Sequence, residues 1–68
     1  MQEHVKRMVE EKEELDIKRE KGEAFTRTQR FQDLDLVDRQ LLREQLYFME
    51  CYSNRLTQRI ARAATKES

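Results

Sequence analysis

The stretch LLREQLYFMECY, residues 41–52, determines how this chain folds. Its large side chains recur at helical steps of three and four residues, and Leu56 and Ile60 continue the same stripe. The consecutive residues 46–49, LYFM, point to all sides of such a helix, because each residue turns it by about 100°. One partner helix of the same chain cannot cover a helix that is apolar all round. The pattern therefore predicts contact with further copies of the chain or with another protein.

The composition favours long helices in one small domain that spans residues 1–68. Hydrophobic residues make up 37% and charged residues 41% of the chain, which has one Gly and no Pro. A chain of 68 residues buries too little surface to be comfortably stable alone. Fourteen acids balance fourteen bases, so no overall field attracts nucleic acid or an anionic membrane, and we predict neither as a partner.

Catalytic and metal-binding motifs are missing from the sequence. It has no Gly-rich phosphate loop, no nucleophile elbow and no cysteine pair, and His4 is the only histidine. We therefore predict a protein that is not an enzyme and that needs no cofactor or metal. Cys51 is alone and is interpreted as a small buried residue beside Tyr47. Without a signal peptide or a long apolar run, the cytoplasm is the expected compartment.

The first half of the chain predicts a charged helix over about residues 2–25. Steps of four and three residues give it the a/d spacing of a coiled coil. The seam consists of Met1, Val5, Met8, Lys12, Leu15, Arg19 and Gly22. Lys12 and Arg19 interrupt the apolar face, although their alkyl stems can lie along a partner helix while the charges reach water.

The second half predicts a longer helix over about residues 35–63, with Asp35 as its N-cap. The connection, residues 26–34, has no regular period, and Phe25, Phe31 and Leu34 are expected to close that end. Two helices with a short connection predict an all-α, antiparallel two-helix hairpin. We expect the hairpin to assemble into a homo-oligomeric helical bundle. The residues expected at the interface between copies are Leu42, Leu46, Tyr47, Phe48 and Met49.

A basic row follows the apolar stretch, at steps of three and four residues on the flank of the Tyr52 face. Its members are Arg55, Arg59, Arg62 and Lys66. Guanidinium groups take phosphate oxygens in bidentate fashion, so Arg55, Arg59 and Arg62 together with Tyr52 are a candidate anion site. The alternative is that these arginines pair with Glu10, Glu11 and Glu14 of the first helix. His4 is expected to make a polar contact at the open end of the hairpin.

The spaced residues also resemble a family of very short, phage-encoded helical-hairpin proteins, many of them known by kinship to a crAss-like phage protein. The resemblance covers about residues 4–60. It rests on His4, Arg7, Val9, Glu11, Lys12, Glu14, Leu15, Asp16, Phe25, Phe31, Leu34, Leu41, Leu42, Gln45, Leu46, Met49, Tyr52, Leu56, Arg59 and Ile60. The chain departs from the pattern at Gly22 and Thr26, where aliphatic residues would be expected.

More distantly, the hairpin is similar in architecture to the phage sponges that oppose CBASS and Thoeris immunity, which hold nucleotide signals between protomers. The resemblance implies a counter-defence protein in the host cytoplasm that oligomerises and sequesters a cyclic nucleotide or an ADP-ribose-type signal. The expected ligand-binding residues are Tyr52, Arg55 and Arg59, together with His4 and Arg7. The alternative is an inhibitor or regulator that binds a host defence protein through the apolar face of the second helix.

Overall fold

The structure is a computed structural model that describes residues 2–67, with side chains described for residues 2–66. Three helices follow one another in the chain: α1 (Glu3–Phe25), α2 (Gln29–Gln32) and α3 (Leu36–Glu67). The long helices α1 and α3 pack against each other, and the described residues measure 51 × 15 × 13 Å. The start of α1 lies beside the end of α3, so the predicted antiparallel helical hairpin is what the chain forms.

The seam of α1 faces α3 as its spacing predicts. Val5 is 2% exposed and Met8 is 8% exposed, while Leu15 is half-buried. Met1, the first residue of the predicted seam, lies outside the described residues. Beyond the last turn, the Thr26 hydroxyl donates to the carbonyl oxygen of Glu23 at 2.6 Å. Thr26 therefore satisfies a free carbonyl at the helix end, a role that an aliphatic residue could not fill.

The connection contains a short helix, α2, where the sequence predicted no regular structure. Thr28 caps it, because its hydroxyl oxygen accepts a hydrogen bond from the Phe31 backbone N–H at 3.3 Å. Phe31 is completely buried and meets the ring of Phe25 edge-on, with 6.1 Å between ring centroids. The guanidinium of Arg43 lies 5.1 Å from the Phe31 ring centroid on the α3 side. Phe31 thus closes this end of the hairpin, and four residues of helix hold it there.

The start of α3 agrees with the sequence, whereas its end does not. Asp35 accepts a hydrogen bond from the backbone N–H of Asp38 at 2.8 Å, as expected for an N-cap. The helix then continues to Glu67, past the predicted end near residue 63. This extra turn carries Lys66 alongside the start of α1.

The inner face of α3 packs against α1 at steps of three and four residues. Leu56 is fully buried and packs with Val5 and Met8, and Ser53 is 3% exposed. The remaining buried or half-buried members are Leu42, Leu46, Met49, Ile60 and Ala63. Phe48, Leu41 and Tyr52 lie outside this face, so α3 carries two adjacent apolar stripes.

Leu46 belongs to the interior of the hairpin, which corrects its assignment to the interface between copies. It is 8% exposed, and a Cβ added at Gly22 would lie only 2.5 Å from its Cδ2. The absence of a side chain at Gly22 therefore lets Leu46 lie directly against the backbone of α1. An aliphatic residue at position 22 would occupy the same volume.

A polar network crosses the middle of the seam where Lys12 interrupts its apolar residues. The Lys12 ammonium lies 2.6 Å from Asp16 Oδ2 and donates to Ser53 Oγ at 3.0 Å. Ser53 in turn donates to Asp16 Oδ1 at 2.6 Å. The hydrogen bond from Lys12 is the largest cause that holds the pKa of Asp16 below its ordinary value of 3.8, and the hydrogen bond from Ser53 is the next largest. The buried hydroxyl is thus satisfied on both sides, which fixes α3 against α1 at this level.

Truncation of leucines that α1 and α3 contribute to the interior should have unequal effects on the free energy of unfolding. Leu56→Ala should cost near the upper end of the range of about 2–5 kcal/mol for buried leucines, and Leu15→Ala near the lower end, because Leu15 is only half-buried. Ile17→Ala is the control, since Ile17 is 52% exposed and should lose little. Urea unfolding followed by circular dichroism would measure all three. Equal losses for Leu15 and Leu56 would contradict this packing.

The Asp16 network should make the free energy of unfolding depend on pH in the acid range. Because folding lowers the pKa of Asp16, its stabilisation is present above pH 3.8 and is lost as the pH falls through the lower folded pKa. Asp16→Asn should reduce stability at pH 7 and flatten this part of the pH profile of urea unfolding. Glu20→Gln, on the exposed side of α1, is the matched control and should leave the profile unchanged. A profile that Asp16→Asn does not alter would rule out the network.

Candidate functional site

A cleft of about 430 Å³ opens at the end of the hairpin where α1 begins and α3 ends. Three cationic side chains and the only histidine lie in its walls. The full lining is Gln2, His4, Met8, Arg59, Arg62, Ala63 and Lys66. Met8 and Ala63 also belong to or pack against the core, so the floor of the cleft is continuous with the packed interior. The cleft is therefore a cationic rim around a small apolar floor.

The structure brings together two of the five predicted ligand residues. His4 from α1 and Arg59 from α3 both line the cleft, because antiparallel packing places the start of one helix beside the end of the other. Tyr52, Arg55 and Arg7 do not line it. From Tyr52 to Lys66 the row extends about 21 Å along the helix at 1.5 Å per residue, which is too far to converge on one pocket within a copy.

The three residues outside the cleft have local partners instead. Arg55 Nη1 donates to Gln58 Oε1 at 3.0 Å, one turn further along α3. Arg7 Nε lies 3.5 Å from Glu3 Oε1 on the exposed side of α1. Tyr52 donates its hydroxyl proton to the carboxylate of Glu11, and that hydrogen bond raises the pKa of Tyr52.

The alternative interpretation of the basic row required ion pairs between the arginines of α3 and the acids of α1. Every salt bridge between described side chains instead joins two residues of α1. Glu11 does reach across to α3, but it accepts from Tyr52. Among the described side chains, therefore, no acid of α1 forms an ion pair with the cations of the cleft. Their positive charge near the C-terminus of α3 is favourable for that helix.

The sequence placed Arg62 in the candidate anion site with Tyr52, Arg55 and Arg59, but not Gln2 or Lys66, and the expected ligand-binding residues omitted all three. The signal for Lys66 was present, since it continues the row of Arg55, Arg59 and Arg62 at steps of three and four residues. Lys66 was missed because α3 was expected to end near residue 63. With Arg59, these side chains offer two guanidinium forks and one ammonium to a single anion.

The sequence model of the family described as Sequestin matches residues 2–62. The chain belongs to the Sequestin family. The match includes α1, α2 and most of α3, so it contains the residues that line the cleft except Ala63 and Lys66. No curated protein and no solved structure matches the chain. Among residues 2–67, no helix is long and apolar enough to cross a membrane.

This member of the Sequestin family has a second surface feature, a shallow apolar depression on the outer side of α3. Its lining is Leu41, Glu44, Gln45, Phe48, Met49 and Tyr52. Phe48 is 65% and Leu41 57% exposed, which is unusual for such large apolar side chains so close together. Among the predicted interface residues, Tyr47 and Phe48 are exposed, whereas Leu42 and Met49 are half-buried.

Cys51 also lies on the exposed side of α3, so the prediction that it is buried is wrong. It does lie beside Tyr47, as expected, and their hydrogen bond raises the pKa of Tyr47. The interior of the hairpin is one seam wide, and Ser53 and Leu56 occupy its nearest positions. Cys51 falls on the other side of the helix, two residues before Ser53.

The hydrogen bond between Tyr52 and Glu11 should be visible in the titration of the phenol. Because Glu11 raises the pKa of Tyr52, Glu11→Gln should bring it back toward 10. Ultraviolet absorbance of the phenolate in a Tyr47→Phe background would isolate the signal, since Tyr47 is the only other tyrosine. Glu10→Gln is the matched control and should leave the titration unchanged. An unshifted midpoint in Glu11→Gln would show that this contact does not form.

Proposed function

We propose that this protein is a non-enzymatic counter-defence protein of a phage, which sequesters a nucleotide-type immune signal in the host cytoplasm. The family name Sequestin supports a sequestering role. The observation that carries the proposal is the convergence of Arg59, Arg62, Lys66 and His4 on one cleft, where no described acid of α1 forms an ion pair with the cations. Such an arrangement suits an anion that brings several negative charges to one place.

The chemistry of the cleft favours phosphate esters over simple carboxylates. Each guanidinium fork takes two oxygens of one phosphate, and Lys66 adds a mobile point charge. Cyclic di- and trinucleotides and ADP-ribose derivatives carry two or more phosphate groups, so they match the number of cations. The small apolar floor of Met8 and Ala63 offers contact area to a base or ribose. Binding of this kind needs no nucleophile and no general base.

The ligand site would lie between protomers, as in the sponges that the fold resembles. Among the described residues, only the start of α1 and the end of α3 form the cleft, so one side is open to solvent in a single copy. A second copy of the chain would close that side and exclude water from the ion pairs, which strengthens them. Self-association and ligand binding would then support each other.

Calorimetry against cyclic dinucleotides, cyclic trinucleotides and ADP-ribose derivatives tests this proposal. One of these classes should bind, and Arg59→Ala should weaken binding by about 10- to 100-fold, since a charge-assisted hydrogen bond contributes about 1.5–3 kcal/mol. Arg59→Lys should also weaken it, because a point charge does not replace the fork. The fold should be unchanged, since Arg59 is exposed.

Arg43→Ala is the matched control for this experiment. Arg43 has the same side chain on the same helix, but it lies over Phe31 at the closed end of the hairpin. Its loss should leave ligand binding intact. Absence of heat with every compound for the wild-type protein, or equal effects of the two alanine variants, would contradict a nucleotide site in the cleft.

A second candidate function is inhibition of a host protein through the outer face of α3. The exposure of Phe48, Leu41 and Tyr47 favours it, because soluble proteins seldom leave such a patch uncovered. This candidate requires that the face remain free when the protein is alone. A chain that stays monomeric at micromolar concentration and binds no nucleotide would favour it over sequestration.

A further inference from the structure

We propose that the outer face of α3 binds the same face of a second copy in antiparallel orientation. The proposal rests on the self-association that the proposed function requires, and it assigns the surface, the direction and the register. Val37, Leu41, Phe48 and Tyr52 form the apolar part of this face, and all four point to within about 60° of one another around the helix axis. They are 62%, 57%, 65% and 43% exposed, respectively.

The outer face of α3 lies where α1 of the same chain cannot cover it. The inner seam of α3 that contacts α1 includes Ser53 and Leu56, and Tyr52 and Arg55 each precede one of these by a single residue. One residue corresponds to a turn of about 100°, so most of the outer face is turned away from α1, and only its edge, at Tyr52 and Arg59, reaches residues of α1. Only a partner outside the chain can cover Phe48.

Charge along the face determines the direction of pairing. Arg55 and Arg59 continue the face beyond its apolar segment, whereas Asp35 and Asp38 lie beside the start of the face, turned from Val37 by about 160° and 100°. Parallel pairing would place the arginines of one copy against those of the other, which is repulsive. Antiparallel pairing separates the arginines of the two copies, brings Arg55 near the end of the partner helix that carries the acids, and aligns the helix dipoles favourably. Charge therefore favours the antiparallel direction.

The apolar residues fix the register. Val37 to Tyr52 is centred between residues 44 and 45, and pairing this segment with itself brings Leu41 opposite Phe48 of the second copy and Val37 opposite Tyr52. Arg55 then lies level with the start of the partner helix, within reach of Asp35 and Asp38. The two copies present their hydrophobic residues to each other, with Arg55 at both ends and Glu44 of each copy near the centre.

The same register brings the closed end of the second copy beside the open end of the first. Arg59 lies past the start of the partner α3, level with the segment that contains α2. The cleft of each copy thus has the other copy as a neighbour on its open side, which is the second wall that the proposed ligand site needs. Two clefts result, one at each end of the dimer.

The size of the patch predicts a dimer of moderate affinity. Four partly exposed apolar side chains supply a few hundred Å² per copy, below the roughly 800 Å² that each partner buries in a standard interface. The ends of the two helices add charge contacts. We expect dissociation in the micromolar range, which sedimentation equilibrium can measure.

Charge-reversal variants test the antiparallel direction of pairing in solution. No ligand is needed, so a failure of the pairing is distinguishable from a failure of the proposed sequestration. Arg55→Glu should weaken the dimer by about 10-fold, because symmetry turns two attractions into two repulsions. Asp38→Arg should do the same, and the combined variant should recover to within about 3-fold of the wild type. Lys18→Glu, on the exposed side of α1, is the control and should change nothing. No recovery in the combined variant would overturn the pairing.

Cysteine cross-linking tests the register independently of charge. In a Cys51→Ser background, Glu44→Cys places two thiols near the dimer axis, whereas Arg55→Cys places them about 30 Å apart at 1.5 Å per residue. We expect rapid disulfide formation for Glu44→Cys and none for Arg55→Cys. Equal cross-linking at both positions would indicate parallel pairing, and none at either would indicate another surface. Both results would overturn the proposal.

Substitution of Phe48 in the outer face of α3 is a third test of the pairing. Phe48→Asp should raise the dissociation constant by more than about 100-fold while the hairpin remains helical, because Phe48 does not belong to the interior. Glu50→Ala, two residues away on the other side of α3, should leave it within about 2-fold. A wild-type protein that is monomeric at all concentrations up to the millimolar range would also overturn the pairing.

Discussion

A two-helix hairpin has one interface, and this limit governs the rest of the structure. The α3 helix carries more apolar surface than α1 can cover, so burial of Leu46 and Leu56 leaves Phe48 and Leu41 in solvent. Both sets lie on the same rigid helix and differ by about 100° around its axis. No rotation of α3 could bury both sets against α1. The exposed stripe is thus a direct consequence of how the interior is packed.

The sequence predicted the hairpin because its strongest signals are local. The seam spacing, Val5 and Met8 within it, and Asp35 as an N-cap each depend on residues within a few positions of one another. The rotation of α3 about its own axis, which decides the side that packs against α1, was harder to predict. The run LYFM is apolar on every side, so it does not indicate which side meets α1. The gap at Gly22 admits Leu46 to the interior, and that pairing joins residues far apart in the chain.

The sequence predicted the kind of candidate site, a site for an anion, but not the full set of residues that line it. The row of arginines indicated an anion site, and His4 was expected at the open end, where it lies with Arg59. A row, however, does not reveal which of its members face a cleft. That depends on where α1 begins opposite α3, and on how far α3 continues. The last turn adds Lys66, and Tyr52 is instead held by Glu11.

The central claim is that the open end of the hairpin holds a phosphate-bearing signal. Titration of the isotopically labelled protein with the cyclic nucleotide or ADP-ribose derivative that binds most tightly, followed by amide chemical shifts, tests it most directly. The largest shifts should fall at His4, Arg59 and Arg62, with small shifts around Ile17 in the middle of α1. Largest shifts around Ile17, or no saturable shifts with any compound of these classes, would contradict the claim.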